Sequence, residues 1–338
     1  MMRAVIVDAF GPIENVRVGT LPDPAPHRGQ VLVQVRASTD NFVDQLVIGG
    51  TYQFLPKLPF VPGKGPAGVV VRLGEGVTRL AIGDRVLAMT EFGGYAELVA
   101  IDESQCYRLA PSMNFADAAS TAVAYDTAWF ALKDRARYAP GDTVLVLGAT
   151  GAVGLGAIQI AKAMGAFVMA GVSSPEKTAM VKEAGADAIV DLASPDLRES
   201  LRAQVHGFTE GRGVDIILDP LGGDVFDAAI RALAWRGRLV VIGFAAGRIP
   251  TIKTNYLLLK NIELSGLQVS DYRKRRPEQV EECFRELFSW FEQGKLKSPP
   301  MQEYPLEKVH EALRAIGDRK IQGRVMLVQE HAAAAGAH

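Results

Sequence analysis

Residues 148–154, Gly148-Ala149-Thr150-Gly151-Ala152-Val153-Gly154, have the types and spacing to hold a phosphate. They follow an uncharged, β-branched run (TVLVL, 143–147) and lead into further apolar sequence. A turn between a strand and a helix, with a glycine every third residue, gathers main-chain N–H groups at the positive end of the helix dipole. Gly148 or Ala149 begins the tight turn, Gly151 lets the backbone approach a pyrophosphate, and Gly154 permits close helix–strand packing. The alternative is a plain strand–helix turn. No charge occurs from Thr143 to Ala161, which approaches membrane-spanning length. The glycines within it, and the lack of another such run, favour a strand, a turn and a buried helix.

The next strand-like run (AFVMAGV, 166–172) ends in Ser173-Ser174-Pro175-Glu176-Lys177. A site for NAD usually places a carboxylate there to bind the ribose 2′-hydroxyl. Ser173, Ser174 and Lys177 can instead donate hydrogen bonds to a 2′-phosphate, so the cofactor reading is NADP(H). The same residues also read as a helix start, with Ser174 as N-cap and Pro175 in the first helical position. Both readings can hold at once. Glu176, in the first helical turn, is expected to face away.

These positions need a scaffold. The chain has 338 residues, 48% hydrophobic and 22% charged, with a net charge of −1. That is long enough for two domains, and it gives no general pull toward nucleic acid or anionic membranes. Up to about residue 122, short β-rich runs (RAVIVDAF, QVLVQVRAS, AGVVVRLG, DRVLAMT, YAELVAID) alternate with turn signals and predict a largely antiparallel β domain. Over 123–266 strands alternate with helices near 154–164, 176–184, 196–206 and 223–234, which predicts an α/β, doubly wound parallel sheet. Two amphipathic helices (PEQVEECFRELFSWFEQG and LEKVHEALRAIG) and the strand GRVMLVQ follow over 267–330 and are expected to return to the first domain. Residues 331–338 form a low-complexity tail. The two cysteines, Cys106 and Cys283, cannot build a disulfide framework or a thiolate-rich zinc site. Cys283 falls in step with Val280, Phe284, Leu287 and Phe291 and reads as core. The N-terminus has no signal-peptide h-region, which makes the cytoplasm the default location.

Taken with the motifs N-F-V-D (Asn41–Asp44), P-F-V-P-G (Pro59–Gly63), G-D-R-V (Gly83–Val86), G-G-Y-A-E (Gly93–Glu97), G-A-T-G-A-V-G, S-S-x-x-K and D-P-L-G-G (Asp219–Gly223), the chain resembles the medium-chain dehydrogenase/reductase superfamily, and within it the zinc-free quinone oxidoreductase branch. The resemblance covers about residues 3–328. It implies a β-rich GroES-like catalytic domain and a Rossmann domain that binds NADP(H). It also implies a homodimer formed by edge-strand pairing. Asn41 stands near the first catalytic zinc ligand of metal-dependent relatives, and Gly63-Lys64-Gly65 replaces their Gly-His-Glu. No cysteine lobe follows GDRVLAM, and all five histidines lie outside these motifs. No metal site is therefore expected. Without a Lewis acid, the easier reaction is hydride delivery to a quinone or enone, where the developing charge is delocalised.

The resemblance places Asn41 and Asp44 beside the nicotinamide; turn chemistry after a strand is the alternative. Tyr52 matches a substrate-lining tyrosine that donates a hydrogen bond or packs. Thr127 matches a residue near the nicotinamide, although a mid-helix threonine often bonds only its own backbone. Gly243, Phe244 and Leu267 match backbone contacts to the nicotinamide half, and Arg324 a closing contact or a solvated arginine. Three departures stand out. Gly65 occupies the place of a carboxylate in P-G-x-E-A-A-G, Leu192 follows Asp191 where relatives have tyrosine, and Gln268-Val269-Ser270 replaces an aromatic stretch. The basic run Arg273-Lys274-Arg275-Arg276 reads as a solvated loop before a helix, a grip on an anionic substrate tail, or an RNA contact. An enoyl-thioester reductase and a non-catalytic NADPH- or RNA-binding protein are the alternative functions.

Overall fold

Strand pairing divides the chain into two compact units. The structure, a computed structural model, describes residues 1–317 and 323–329; the expected tail at 331–338 lies outside them. One unit comprises Met1–Val123, Arg273–Glu292 and the chain from Lys297 onward. The other comprises Ala124–Tyr272 and Gln293–Leu296.

The second unit is built on six strands in the order Ala188–Asp191, Phe167–Val172, Thr143–Val146, Val214–Asp219, Leu233–Val241, Glu263–Gly266. All five pairings are parallel. Parallel strands covered on both faces read as unbroken apolar runs. Thr143–Val146 is buried at every position, and Val214–Asp219 at all but one. Strand order reverses between these two strands, which creates a topological switch point at their carboxyl ends. The sheet is the expected doubly wound α/β fold. One helix is shorter than the sequence suggests. The apolar run after Gly223 forms a helix only over Gly223–Ala229, because Leu233 is already paired with Val214. Sheet pairing there overrides a helix-compatible pattern.

The first unit carries a seven-stranded, mostly antiparallel sheet. Its order is Met301–Pro305, Arg324–Val328, Gln30–Thr39, Ala67–Leu73, Arg85–Ala88, Cys106–Arg108, with Leu98–Asp102 also paired to Gln30–Thr39. Met2–Val7 and Val16–Leu21 form a separate antiparallel pair. The helix Pro277–Glu292 buries Val280, Cys283, Phe284, Leu287 and Phe288. Phe284 packs on Tyr107 at 4.5 Å between ring centroids. Cys283 is a core residue as expected, while Phe288 rather than Phe291 completes the buried stripe.

Candidate active site

In the parallel-sheet unit, the strand Thr143–Val146 runs through Gly148 into the helix Ala152–Ala163, whose N-cap is Gly151. Gly148 has φ +58°, a left-handed conformation that favours glycine. A Cβ on Gly154 would lie 2.5 Å from the Gly148 carbonyl oxygen and 2.7 Å from Ala149 Cα, so no side chain fits. Gly151 is exposed, with only the Gly148 oxygen near a notional Cβ, at 3.3 Å. Gly148 thus turns the chain, Gly151 leaves the backbone open and Gly154 lets helix and strand close up. The helix's first-turn amides at Ala152, Val153 and Gly154 have no intrahelical acceptor to reach. Ala149 is different: its N–H is spent on the Gly171 carbonyl, at 3.2 Å. Thr150 is half-buried.

One further loop meets this turn at the switch point, and a second packs on that loop. Pro220 and Leu221, just beyond Val214–Asp219, lie 3.3 and 3.0 Å from a notional Cβ on Gly148. Phe244 lies 3.1 Å from one on Gly222. Asp219 holds the loop, since its Oδ1 accepts N–H bonds from Leu221 (2.9 Å) and Gly222 (3.0 Å). It is fully buried, and burial raises its pKa. Gly243 donates its N–H to the Asp219 carbonyl, and Leu267 donates to Val241. Thr127 is buried within the helix Ala124–Phe130.

At the end of Phe167–Val172, Ser173 is exposed and Ser174 and Lys177 are half-buried. Pro175–Lys177 forms one 3₁₀ turn, and the Ser174 side chain does not cap it. Glu176 does not turn away from Ser174: a side-chain hydrogen bond with Ser174 is the first cause holding its carboxyl below the usual range. The serine pair remains at the strand end, with a carboxylate alongside it.

The β-rich unit gathers a second set. Asn41 begins the helix Phe42–Ile48, and the Asp44 carboxylate accepts its backbone N–H at 3.1 Å and its Nδ2 at 3.2 Å. The pair is therefore a helix start rather than a turn. Arg324 donates from Nη2 to Asn41 Oδ1 at 2.8 Å and is 4% exposed, so it is not a solvated arginine. Asn41, Asp44 and Arg324 come together in this unit, whereas Thr127, the glycine turn, Ser173, Ser174, Lys177, Gly243, Phe244 and Leu267 belong to the other.

Four residues not singled out as site candidates, Asp40, Lys64, Glu91 and Tyr95, join the cluster together with Arg273 of the basic run. The fully buried Tyr95 hydroxyl stands 3.1 Å from Asp40 Oδ1 and 3.3 Å from Asp44 Oδ2. Burial, then the charge of Asp44, pushes the Asp40 carboxyl well above its ordinary range. Burial raises Asp44 to about 6, with the nearby Lys64 charge opposing the rise. At neutral pH Asp44, at about 6, is mostly charged. Lys64 donates to Glu91 Oε2 at 2.5 Å, and Arg273 to Glu91 Oε1 at 2.5 Å. Arg273 lies on the helix Val269–Arg275 and is buried, which corrects the solvated-loop reading for this member of the basic run; Lys274, Arg275 and Arg276 are exposed. Tyr52 is half-buried and stacks edge-on with Phe54. The sequence signals for this group were Gly63-Lys64-Gly65 in place of Gly-His-Glu and the basic run that begins at Arg273. Among the described residues, no group of three or more His, Cys, Asp or Glu side chains could hold a metal ion. No described helix is long and apolar enough to cross a membrane.

The alcohol dehydrogenase GroES-like domain family matches residues 27–111, and the zinc-binding dehydrogenase family matches residues 152–290. A quinone oxidoreductase-like protein 2 homolog of Nematostella vectensis is 38% identical over 300 residues, covering 88% of this chain and 81% of its own. The chain belongs to the medium-chain dehydrogenase/reductase superfamily. Quinone oxidoreductase-like protein 2 of Rattus norvegicus is 36% identical, covering 88% of this chain and 84% of its own. A mycobacterial quinone oxidoreductase superposes with a TM-score of 0.89 at 31% identity, over 97% of this chain and 100% of that one. A mycobacterial structure complexed with NADPH matches with the same values. As a superfamily member, this chain is an oxidoreductase with a nicotinamide cofactor. The glycine turn fits such a group on its own geometry: a side-chain-free approach at Gly151, no room at Gly154, and a helix N-terminus behind both.

Proposed function

We propose that the chain is a metal-independent, NADPH-dependent reductase of quinones or α,β-unsaturated carbonyl compounds. The observation that carries this reading is the glycine turn at the sheet's switch point, with Ser173, Ser174 and Lys177 at the end of the neighbouring strand. The names of the relatives, and the NADPH complex of a mycobacterial one, support it. When bound, the reduced dinucleotide supplies a hydride.

The chain's own residues do the rest. The amides of Ala152, Val153 and Gly154 bind the pyrophosphate. Ser173, Ser174 and Lys177 donate to the 2′-phosphate. Thr127 and the backbone at Gly243, Phe244 and Leu267 orient the nicotinamide half. The parallel-sheet unit, Ala124–Tyr272 with Gln293–Leu296, serves as the NADP(H)-binding domain, about six residues longer at its end than the expected 123–266, and the β-rich unit as the catalytic domain. In the latter, Asn41 is held rigidly by Asp44 and Arg324, and Tyr52 supplies an aromatic face for the acceptor.

The test is loss of NADPH absorbance with quinones, 2-alkenals and enoyl thioesters as acceptors. Turnover of a free quinone or enone is expected. A protein that binds NADPH but turns over none of the three overturns the proposal. Turnover of the thioester alone replaces it with an enoyl-thioester reductase.

A further inference from the structure

Lys64 sits between two left-handed glycines, Gly63 and Gly65, and is 2% exposed. Its ammonium donates twice to Glu91, to the carbonyl oxygen at 3.2 Å and to Oε2 at 2.5 Å. An ammonium has three N–H donors. The third has no hydrogen-bond acceptor among the described residues. Burying an ammonium is costly, and one kept there with a donor unspent has charge to offer a ligand.

The surroundings define that ligand. The Phe92 and Tyr52 ring centroids lie 5.0 and 5.8 Å from Lys64 Nζ. Phe54 stands edge-on to Tyr52 at 6.2 Å and is exposed, as are Leu55 and Leu58 on the same loop. Aromatic rings beside one buried cation suit a flat, uncharged molecule that turns negative at an oxygen.

We infer that Lys64 is a catalytic residue that donates its remaining N–H to the carbonyl oxygen of a planar, apolar acceptor and stabilises the negative charge that develops there. Glu91, itself bound by Arg273, is the positioning residue that aims the ammonium. The inference rests on the reductase reading above. In the reduction of an enone, a C–H bond forms at the β-carbon with the hydride from the reduced dinucleotide, which is oxidised. The C=C electron pair shifts to form the bond between the α-carbon and the carbonyl carbon, the C=O pair moves onto the oxygen as an enolate beside Lys64, and water then supplies the proton at the α-carbon. A quinone spreads the same charge over its ring and needs the ammonium less.

The first test uses 4-nitrophenol, a flat phenol whose phenolate absorbs visible light, and needs neither cofactor nor turnover. At a pH where the free probe is mostly neutral, wild-type protein should raise the phenolate band, Lys64→Arg should retain the rise and Lys64→Met should abolish it. Thermal melting and NADPH titration check that the variants are folded; if Lys64→Met is not, Lys64→Gln takes its place. No rise with wild type, or an equal rise with the neutral variant, overturns the inference. In turnover, Lys64→Met should lower kcat/KM for a 2-alkenal by about a hundredfold and for a quinone by less than about tenfold. Equal losses for both acceptors would mean a structural role and also overturn it. Wild type that turns over no acceptor defeats the reductase reading instead, and the probe assay distinguishes the two failures.

Discussion

Gly65 shows how one backbone angle decides what a position can carry. Its φ is +60°, and a Cβ there would lie 2.4 Å from Ala122 Cβ. A carboxylate side chain has no room here. Gly65→Glu should therefore not restore a polar network; it should lower stability by about 2 kcal/mol, read as a fall in Tm. The proposed selectivity for NADPH rests on charge. Lys177→Glu should weaken NADPH at least about tenfold while leaving NADH nearly unchanged, as measured by fluorescence titration. Equal losses would place the 2′-phosphate elsewhere. The glycine turn was legible because its residues are contiguous and each glycine has a local steric reason. Lys64, Glu91 and Arg273 were not legible as a group, because 27 and 182 positions separate Glu91 from its two partners. Spacing rules describe neighbours along the chain, and this cluster exists only after the sheet has formed.

Elements hold these residues through their ends. The loop after Val214–Asp219 keeps its shape because Asp219 binds two successive amides, and it touches the glycine turn. Asp219→Ala removes both bonds. It should cost about 2 kcal/mol of stability and lower NADPH affinity in the same titration. In the β-rich unit, the end of Gln30–Thr39, the helix Phe42–Ile48 and the Tyr95 turn meet at Asp40 and Asp44. Asp44 titrates near 6 when folded, above its ordinary 3.8, so the folded state binds this proton more tightly. Its contribution to stability is full below about 4 and declines as pH rises to about 6. Melting curves across that range should flatten in Asp44→Asn. The long strands and the 16-residue helix Pro277–Glu292 were plain from hydrophobic period. The helix Phe42–Ile48 was not: at seven residues it is too short for a periodic stripe. The strand Val16–Leu21 was also missed, having one fully buried residue and being interrupted by Gly19; its pairing with Met2–Val7 defines it.

At the scale of the whole molecule, the two sheets differ in how far apart their partners lie in sequence. Every strand of the parallel sheet lies between Thr143 and Gly266. In the other sheet, Ala37, Ser38 and Thr39 pair with Val328, Leu327 and Met326. A chain emerging from the ribosome can thus complete the parallel sheet while the first-made β-strands still wait for their last partner. Synthesis stopped after Leu296 should yield a nascent chain in which the 124–272 region resists protease and the N-terminal third is cleaved. The waiting strand leaves backbone hydrogen-bonding groups open at Ala37–Thr39, beside the segment that carries Asp40, Asn41 and Asp44. The β-rich half is thereby the last to mature and the part left open to chaperones during translation.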